Sequence, residues 1–255
     1  MNAALAAQIA ENVARVQEQI AAASRAANRD PGEVRLVVAV KYATDEQVEA
    51  LLACGCRDLA ESRPQALWRR ADVFANRGIR WHFIGHLQRN KIRRTLPHIW
   101  CLHSVDSRRV LEALDAEAAR LAEQDGHAAR LQVLIEVNIS RDESKGGFGP
   151  EELADLIPQL TEFPHLQVTG LMGMGSLHGG RDVAQQNFEE LRALRDRLAA
   201  RCPSGVSLAE LSMGMSSDFD LAIAAGATMV RIGSALFEGV EPDDADGSPA
   251  SEHPT

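Results

Sequence analysis

The sequence predicts an α/β chain folded as a single (β/α)8 TIM barrel with an extra N-terminal helix. Three observations carry this. Short apolar runs alternate strictly with helical stretches from residue 34 onward. The strand-like runs number eight, and eight such units close into a barrel. No glycine fingerprint follows the first strand, which counts against the open doubly wound sheet as the alternative. At 255 residues, 45% hydrophobic and 25% charged, one barrel is an ordinary single-domain solution.

The elements follow in order. Ala3 to Ala27 is an alanine-rich helix whose Ile9, Val13, Val16 and Ile20 make one apolar stripe. It lies outside the barrel or plugs its lower end. Pro31-Gly32 breaks the chain, and Leu36-Val37-Val38-Ala39-Val40 reads as the first buried strand, running into Lys41. Thr44 and Gln47 form a capping-box pattern for the next helix, which Gly55 ends. Arg57 to Ala60 is a strand ending in Glu61-Ser62-Arg63, and a helix runs from Pro64 to Asn76. Trp81 to Ile84 and Ile99 to His103 are strands flanking a basic helix from Asn90 to Leu96. A helix from Ser107 to Gln124 stops at Gly126, and Leu131 to Val137 is a strand running into Asn138-Ile139-Ser140. A loop, Arg141 to Gly149, carries Lys145. A helix from Pro150 to Thr161 precedes the strand Leu166 to Leu171. A helix from Asp182 to Arg201, a strand Glu210 to Ser212, a helix Phe219 to Ala225 and a strand Met229 to Ile232 complete the pattern. Residues 1–240 are thus the barrel domain. The Pro-, Asp-, Ser- and Glu-rich tail, 241–255, has little to bury and reads as disordered.

Composition excludes several classes of function. A formal net charge of −9 disfavours nucleic acid and anionic membranes, and 4% aromatics are too few for base-stacking platforms. The four cysteines include Cys54-Gly55-Cys56 without a second pair at zinc spacing, so no metal site or disulfide framework is implied. No stretch approaches a membrane span and the N-terminus lacks a signal peptide's apolar centre, so the expectation is a soluble cytoplasmic protein. No strong exposed apolar face stands out, which points to a monomer.

In a barrel, function gathers at the C-terminal strand ends. Those ends carry Lys41, Glu61, His82, Ser104, Asn138, Met174, Ser212 and Arg231. Lys41 is either the first solvated residue past its strand or an amine presented in a pocket, where desolvation would leave it neutral and nucleophilic. Gly214-Met215-Ser216-Ser217-Asp218 is either a plain helix cap or, beside Gly233-Ser234, an anion site at a helix start. Arg231 would either form an ion pair with Asp218 or Asp220 or point into the same site. An amine at the first strand and a phosphate cradle at the last two are neighbours around a closed barrel. A phosphorylated aldehyde held as a Schiff base fits both. His82 reads as a satisfied polar residue, Cys101 as a small buried hydrophobe, and Arg89 to Arg94 as a solvated helix face.

Seven stretches carry a resemblance when taken together: Val38-Ala39-Val40-Lys41, Trp81 to Lys91, His103 to Asp106, Glu136 to Ser140 with Lys145 and Gly147, Gly170 to Met174, Leu211 to Ser216 and Val230 to Phe237. In this combination and order they resemble the pyridoxal phosphate homeostasis protein family, which has the barrel of alanine racemase without its second domain. The resemblance implies a fold-type III barrel that binds pyridoxal 5′-phosphate. It implies that Lys41 forms the internal aldimine, that Ser216, Gly233 and Ser234 hold the phosphate, that Arg231 faces the pyridine nitrogen, and that Asn138 and Met174 line the ring. A cation at the pyridine nitrogen disfavours its protonation and weakens the ring as an electron sink. Two departures stand out: Val40 where the family has serine, and Ala60-Glu61-Ser62 where it has Gly-Glu-Asn. The implied function is cofactor homeostasis without turnover, with apo enzymes as recipients. The alternatives are an amino-acid racemase or decarboxylase and, more remotely, a phosphosugar aldolase. Racemisation needs a proton donor on each face of the substrate. The lone tyrosine, Tyr42, follows Lys41 directly and in a strand would leave by the opposite face.

Overall fold

The structure, a computed structural model, describes residues 2–125, 130–140, 146–176 and 179–240. Expectations placed on Gly126, Lys145 and the tail 241–255 fall outside the described residues. Eight parallel strands close into one barrel in sequence order. They are β1 (Arg35–Ala39), β2 (Asp58–Glu61), β3 (Arg80–Phe83), β4 (Cys101–Val105), β5 (Leu131–Glu136), β6 (Leu166–Met172), β7 (Glu210–Ser212) and β8 (Met229–Ile232). Around them lie α1 (Ala3–Ala26), α2 (Asp45–Ala53), α3 (Pro64–Val73), α4 (Arg89–Thr95), α5 (Arg108–Asp125), α6 (Pro150–Leu156), α7 (Gly180–Ala199) and α8 (Phe219–Ala224).

The strands are buried on both faces, and the alternation of side chains sorts them into two cores. Val37, Ala60, Cys101, Leu134, Met172 and Met229 fill the barrel. The residues between them, such as Val38, Leu59, Phe83, Leu102 and Val230, pack outward against the helices. The closure seam pairs Arg35 with Met229 and Val38 with Ile232. Two glycines let backbones approach: a Cβ on Gly170 would lie 1.9 Å from the Glu210 carbonyl oxygen, and one on Gly85 would lie 2.1 Å from that of Ser62.

The leading helix lies outside the barrel. Ile9, Val13, Val16 and Ile20 of α1 are buried, each worth about 1.5–3 kcal/mol of transfer free energy, against α2, α8 and the turn Ser234–Leu236. Buried Asn12 donates to the carbonyls of Leu236 (3.3 Å) and Glu238 (2.8 Å), and Arg15 donates to that of Ala235 (3.0 Å). The helix therefore braces the loop that follows β8.

The capping box of Thr44 and Gln47 forms as the sequence predicts. Other boundaries shift for local reasons. The helix predicted to reach Thr161 ends as α6 at Leu156 and tightens into a 3₁₀ turn, Ile157–Glu162, because Pro158 has no N–H to continue it. The first strand stops at Ala39. The Ala43 N–H donates to the Val40 carbonyl at 3.0 Å, so Val40 to Ala43 is a tight turn with Lys41 and Tyr42 at its centre.

Candidate functional site

Lys41 is positioned by a buried ion pair. Glu61, at the end of β2, and Arg70, on the inner face of α3, are 0% and 4% exposed. The Arg70 guanidinium donates to the Glu61 carboxylate, to the Val40 carbonyl at 2.5 Å and to the Ala43 carbonyl. Arg63 donates to the carbonyl of Lys41 itself. Both ends of the lysine turn are thus tied to one guanidinium, whose charge Glu61 offsets. The Lys41 side chain is free of this clamp. It is exposed, with Nζ 4.9 Å from the centre of the Tyr42 ring. Of the two alternatives for Lys41, the structure shows the solvated residue past its strand, because the turn projects its two central residues outward. One expectation is corrected here. Tyr42 does not leave by the opposite face, because the pair sits in a turn and not in a strand; it is 82% exposed beside the amine.

At the seam next to Lys41, the loops after β7 and β8 converge. The Ser216 hydroxyl oxygen accepts from the N–H groups of Gly233 and Ala235, each at 3.4 Å. Such long bonds leave those donors weakly committed. Gly233 lies against β1: a Cβ there would sit 3.2 Å from the carbonyl oxygen of Ala39, two residues before Lys41. Ser234 is exposed at the same turn. The plain-cap alternative for Ser216 to Asp218 does not hold. Asp218 occupies the cap position of α8, but its carboxylate accepts from Met215 N at 2.6 Å and caps no helical N–H. Gly214 has a φ of +90° and packs so closely on Phe219 and Ala222 that a side chain would collide with them.

Arg231 points from β8 into the barrel and is 6% exposed. Of the two alternatives for Arg231, the ion pair with Asp218 or Asp220 does not form; Asp220 pairs with Arg181. Arg231 Nη1 donates to the Ser212 carbonyl (2.7 Å) and hydroxyl (2.8 Å), and its Nη2 to the Gly173 carbonyl (3.1 Å). Burial pushes the guanidinium down to about 10, opposed by Glu136 and Asp218, so it stays charged at neutral pH. Asn138 is half-buried, its N–H bonded to the Phe148 carbonyl at 3.0 Å. Met174 is half-buried against the interior core. Lysine, serine, the N–H groups of Gly233 and Ala235 and arginine make a donor-rich set. It suits a ligand carrying both a phosphate and an aldehyde.

Reading the sequence missed a group below this mouth. His82 and His103 are fully buried inside the barrel. Their ring nitrogens meet at 2.7 Å, and Cys101 Sγ lies with them inside 4.8 Å. His82, one residue from the end of β3, is the satisfied polar residue expected, bonded to Asp58 and to His103. The basic run is the largely exposed helix face expected, with Arg94 over the Trp68 ring at 4.1 Å.

Comparison with known proteins places this architecture. The family model for the alanine racemase N-terminal domain matches residues 7–241. The pyridoxal phosphate homeostasis protein of Synechocystis sp. is 40% identical over 208 residues, covering 81% of this chain and 92% of the relative. The chain belongs to the pyridoxal phosphate homeostasis protein family. Another member, from Aquifex aeolicus, is 34% identical over 89% of this chain and 96% of its own. Among solved structures, PipY of Synechococcus elongatus PCC7942, described with PLP bound, superposes with a TM-score of 0.77 at 30% identity. The match covers 90% of this chain and 99% of that one. A protein from Bifidobacterium adolescentis superposes with a TM-score of 0.86 at 34% identity, covering 93% and 97%. Members of the family span the same single barrel as this chain. Alanine racemase from Corynebacterium glutamicum, at 19% identity, shares the fold over 62% of its length.

Proposed function

We propose that the protein binds pyridoxal 5′-phosphate as a Schiff base on Lys41 and serves its intracellular homeostasis without turning over a substrate. The observation that supports this most is the meeting at the seam. The weakly committed N–H groups of Gly233 and Ala235, with the Ser216 hydroxyl, converge against Ala39, one tight turn from the Lys41 amine. In this reading Lys41 would hold the cofactor through its aldehyde, and Ser216, Gly233 and Ser234 would hold its phosphate. Arg231 faces the ring nitrogen, and Asn138 and Met174 line the ring. The bound cofactor supplies an electron-withdrawing ring. A charged guanidinium at its nitrogen keeps that ring unprotonated and its electron-sink strength low. The name of the Synechocystis relative and the cofactor in PipY support the same ligand.

The racemase alternative needs a second proton donor across the ligand from the lysine. Tyr42 stacks on the lysine amine itself, so it stands on the lysine's side. The mouth also leaves Lys41 open to solvent, which suits transfer to apo-enzyme recipients better than controlled chemistry. We take the protein to act as a cytoplasmic monomer: Tyr42 and Val73 are the large hydrophobic residues exposed among those described, and no described helix is long and apolar enough to cross a membrane. The test is amino-acid turnover by the cofactor-loaded protein. Racemisation or decarboxylation that disappears in Lys41→Ala replaces the homeostasis reading with the enzyme reading.

A further inference from the structure

Five polar side chains from five strands cross the barrel interior in one hydrogen-bonded line. Asp58 Oδ1 on β2 lies 3.0 Å from His82 Nε2 on β3. His82 Nδ1 lies 2.7 Å from His103 Nε2 on β4, and His103 Nδ1 lies 2.9 Å from the Ser212 hydroxyl on β7. That hydroxyl is 2.8 Å from Arg231 Nη1 on β8. At the far end, Arg80 grips Asp58 with two bonds, of 2.7 and 2.5 Å.

With His82 neutral, the Asp58 end sets the direction of every bond in the line, because a carboxylate only accepts. His82 must therefore give its Nε2–H to Asp58, which leaves Nδ1 to accept from His103 Nε2–H. His103 Nδ1 then accepts the Ser212 proton, and the Ser212 oxygen is left to accept from Arg231. Both histidines are neutral Nε2–H tautomers in this arrangement. Their surroundings agree. Burial disfavours the charged form of each; Arg35 and Arg80 oppose protonation of His82, and Arg35 and Arg231 oppose that of His103. Asp58 is the one group here that favours a charged His82, and Arg80 already neutralises it. Cys101 stays a thiol, since burial pushes its ionisation up. The cluster of His82, Cys101 and His103 has the composition of a metal site. The 2.7 Å between ring nitrogens is a hydrogen-bond length, and the guanidiniums of Arg35, Arg80 and Arg231 repel a cation there.

We propose that Asp58, His82, His103 and Ser212 are positioning residues for Arg231. They form a wire of fixed polarity that keeps a Ser212 lone pair turned to the guanidinium and so holds Arg231 as a charged donor beneath the ring nitrogen of the bound cofactor. The wire's polarity stands on the cofactor-free protein; its purpose rests on the proposed function above. With three of its N–H groups given to Ser212 and Gly173, Arg231 keeps two for the ligand among the described residues.

Histidine-selective ¹⁵N labelling of the cofactor-free protein tests the polarity directly. Long-range ¹H–¹⁵N correlation reads both His82 and His103 as single neutral Nε2–H tautomers at pH 7. An Nδ1–H tautomer or an imidazolium at either residue overturns the wire. Asp58→Asn then tests its purpose, because an amide can donate as well as accept. The expected result is mixed tautomers at both histidines and a roughly three- to tenfold rise in the pyridoxal phosphate Kd, the worth of about one hydrogen bond. Unchanged tautomers with unchanged Kd overturn the proposal. Should Asp58→Asn fail to fold, Ser212→Ala cuts the same line next to Arg231 and carries the same expected rise in Kd; an unchanged Kd there overturns it equally. If the tautomers are as stated but the wild type takes up no cofactor, the proposed function fails and the wire's role with it, while its polarity stands.

Discussion

Lowering the pH from 7 to 5 should destabilise this protein through His103. The residue is fully buried, and burial, with the neighbouring His82, Arg231 and Arg35, holds its pKa well below the ordinary 6.5. A histidine with a depressed folded pKa contributes no penalty above pH 6.5, where neither state is protonated. As pH falls below 6.5 the unfolded chain takes up a proton that the folded chain refuses, so stability is lost. At pH 5, 1.5 units below 6.5, that linkage amounts to about 2 kcal/mol for one histidine. Urea denaturation at pH 7 and pH 5 measures it, with His103→Gln as the reference. Glutamine can still bond on both sides but does not titrate. Carboxylates contribute alike to both proteins and cancel in the difference. Wild type should lose about 2 kcal/mol more than the variant between the two pH values. Equal losses would mean that His103 is protonated in the folded state, and the neutral interior described here would be wrong.

Other perturbations follow from the same geometry. Arg70→Met strips the carbonyls of Val40 and Ala43 of their donor and leaves the buried Glu61 carboxylate without its charge partner, holding only the Ser62 N–H. It should cost about 3–5 kcal/mol in urea denaturation, and Glu61→Leu with Arg70→Met should recover part of that loss. Asn12→Ala removes two bonds to the loop after β8 and should cost about 1–3 kcal/mol, together with weaker cofactor binding in titration. Gly170→Ala drives a methyl to within 1.9 Å of the Glu210 carbonyl oxygen. It should cost about 4 kcal/mol or more, seen as loss of cooperative unfolding or of folded yield.

Much of the barrel was legible because its signals are local. Valine- and leucine-rich runs at regular spacing, the Thr44 capping box and the glycine-rich loops at 214 and 233 each declare themselves within a few residues. The seam follows from topology: closing eight parallel strands makes β1 and β8 neighbours, which brings Gly233 to Ala39. What escaped is held together across long separations. The turn at Lys41 looked like a continuing strand because Val40 is apolar, yet Arg70, thirty residues on, ties its carbonyls. A signal did exist: Arg70 falls three residues after Leu67 on the buried stripe of α3, where a charge needs a partner. The wire was less accessible still. Asp58, His82, His103, Ser212 and Arg231 share no spacing and meet only because alternate residues of five strands face one axis. Inward-facing histidines in two neighbouring strands were the one hint.

The central claim, that Lys41 and the β7–β8 loops hold one phosphorylated aldehyde between them, has a direct measurement. Purified protein is titrated with pyridoxal 5′-phosphate and its absorbance spectrum recorded, beside Lys41→Ala and Ser216→Ala. The account predicts a protein-bound cofactor band that borohydride fixes covalently to Lys41, absent in Lys41→Ala and formed with several-fold weaker affinity in Ser216→Ala. A band of equal strength in Lys41→Ala, or covalent attachment mapped to another lysine, would contradict it.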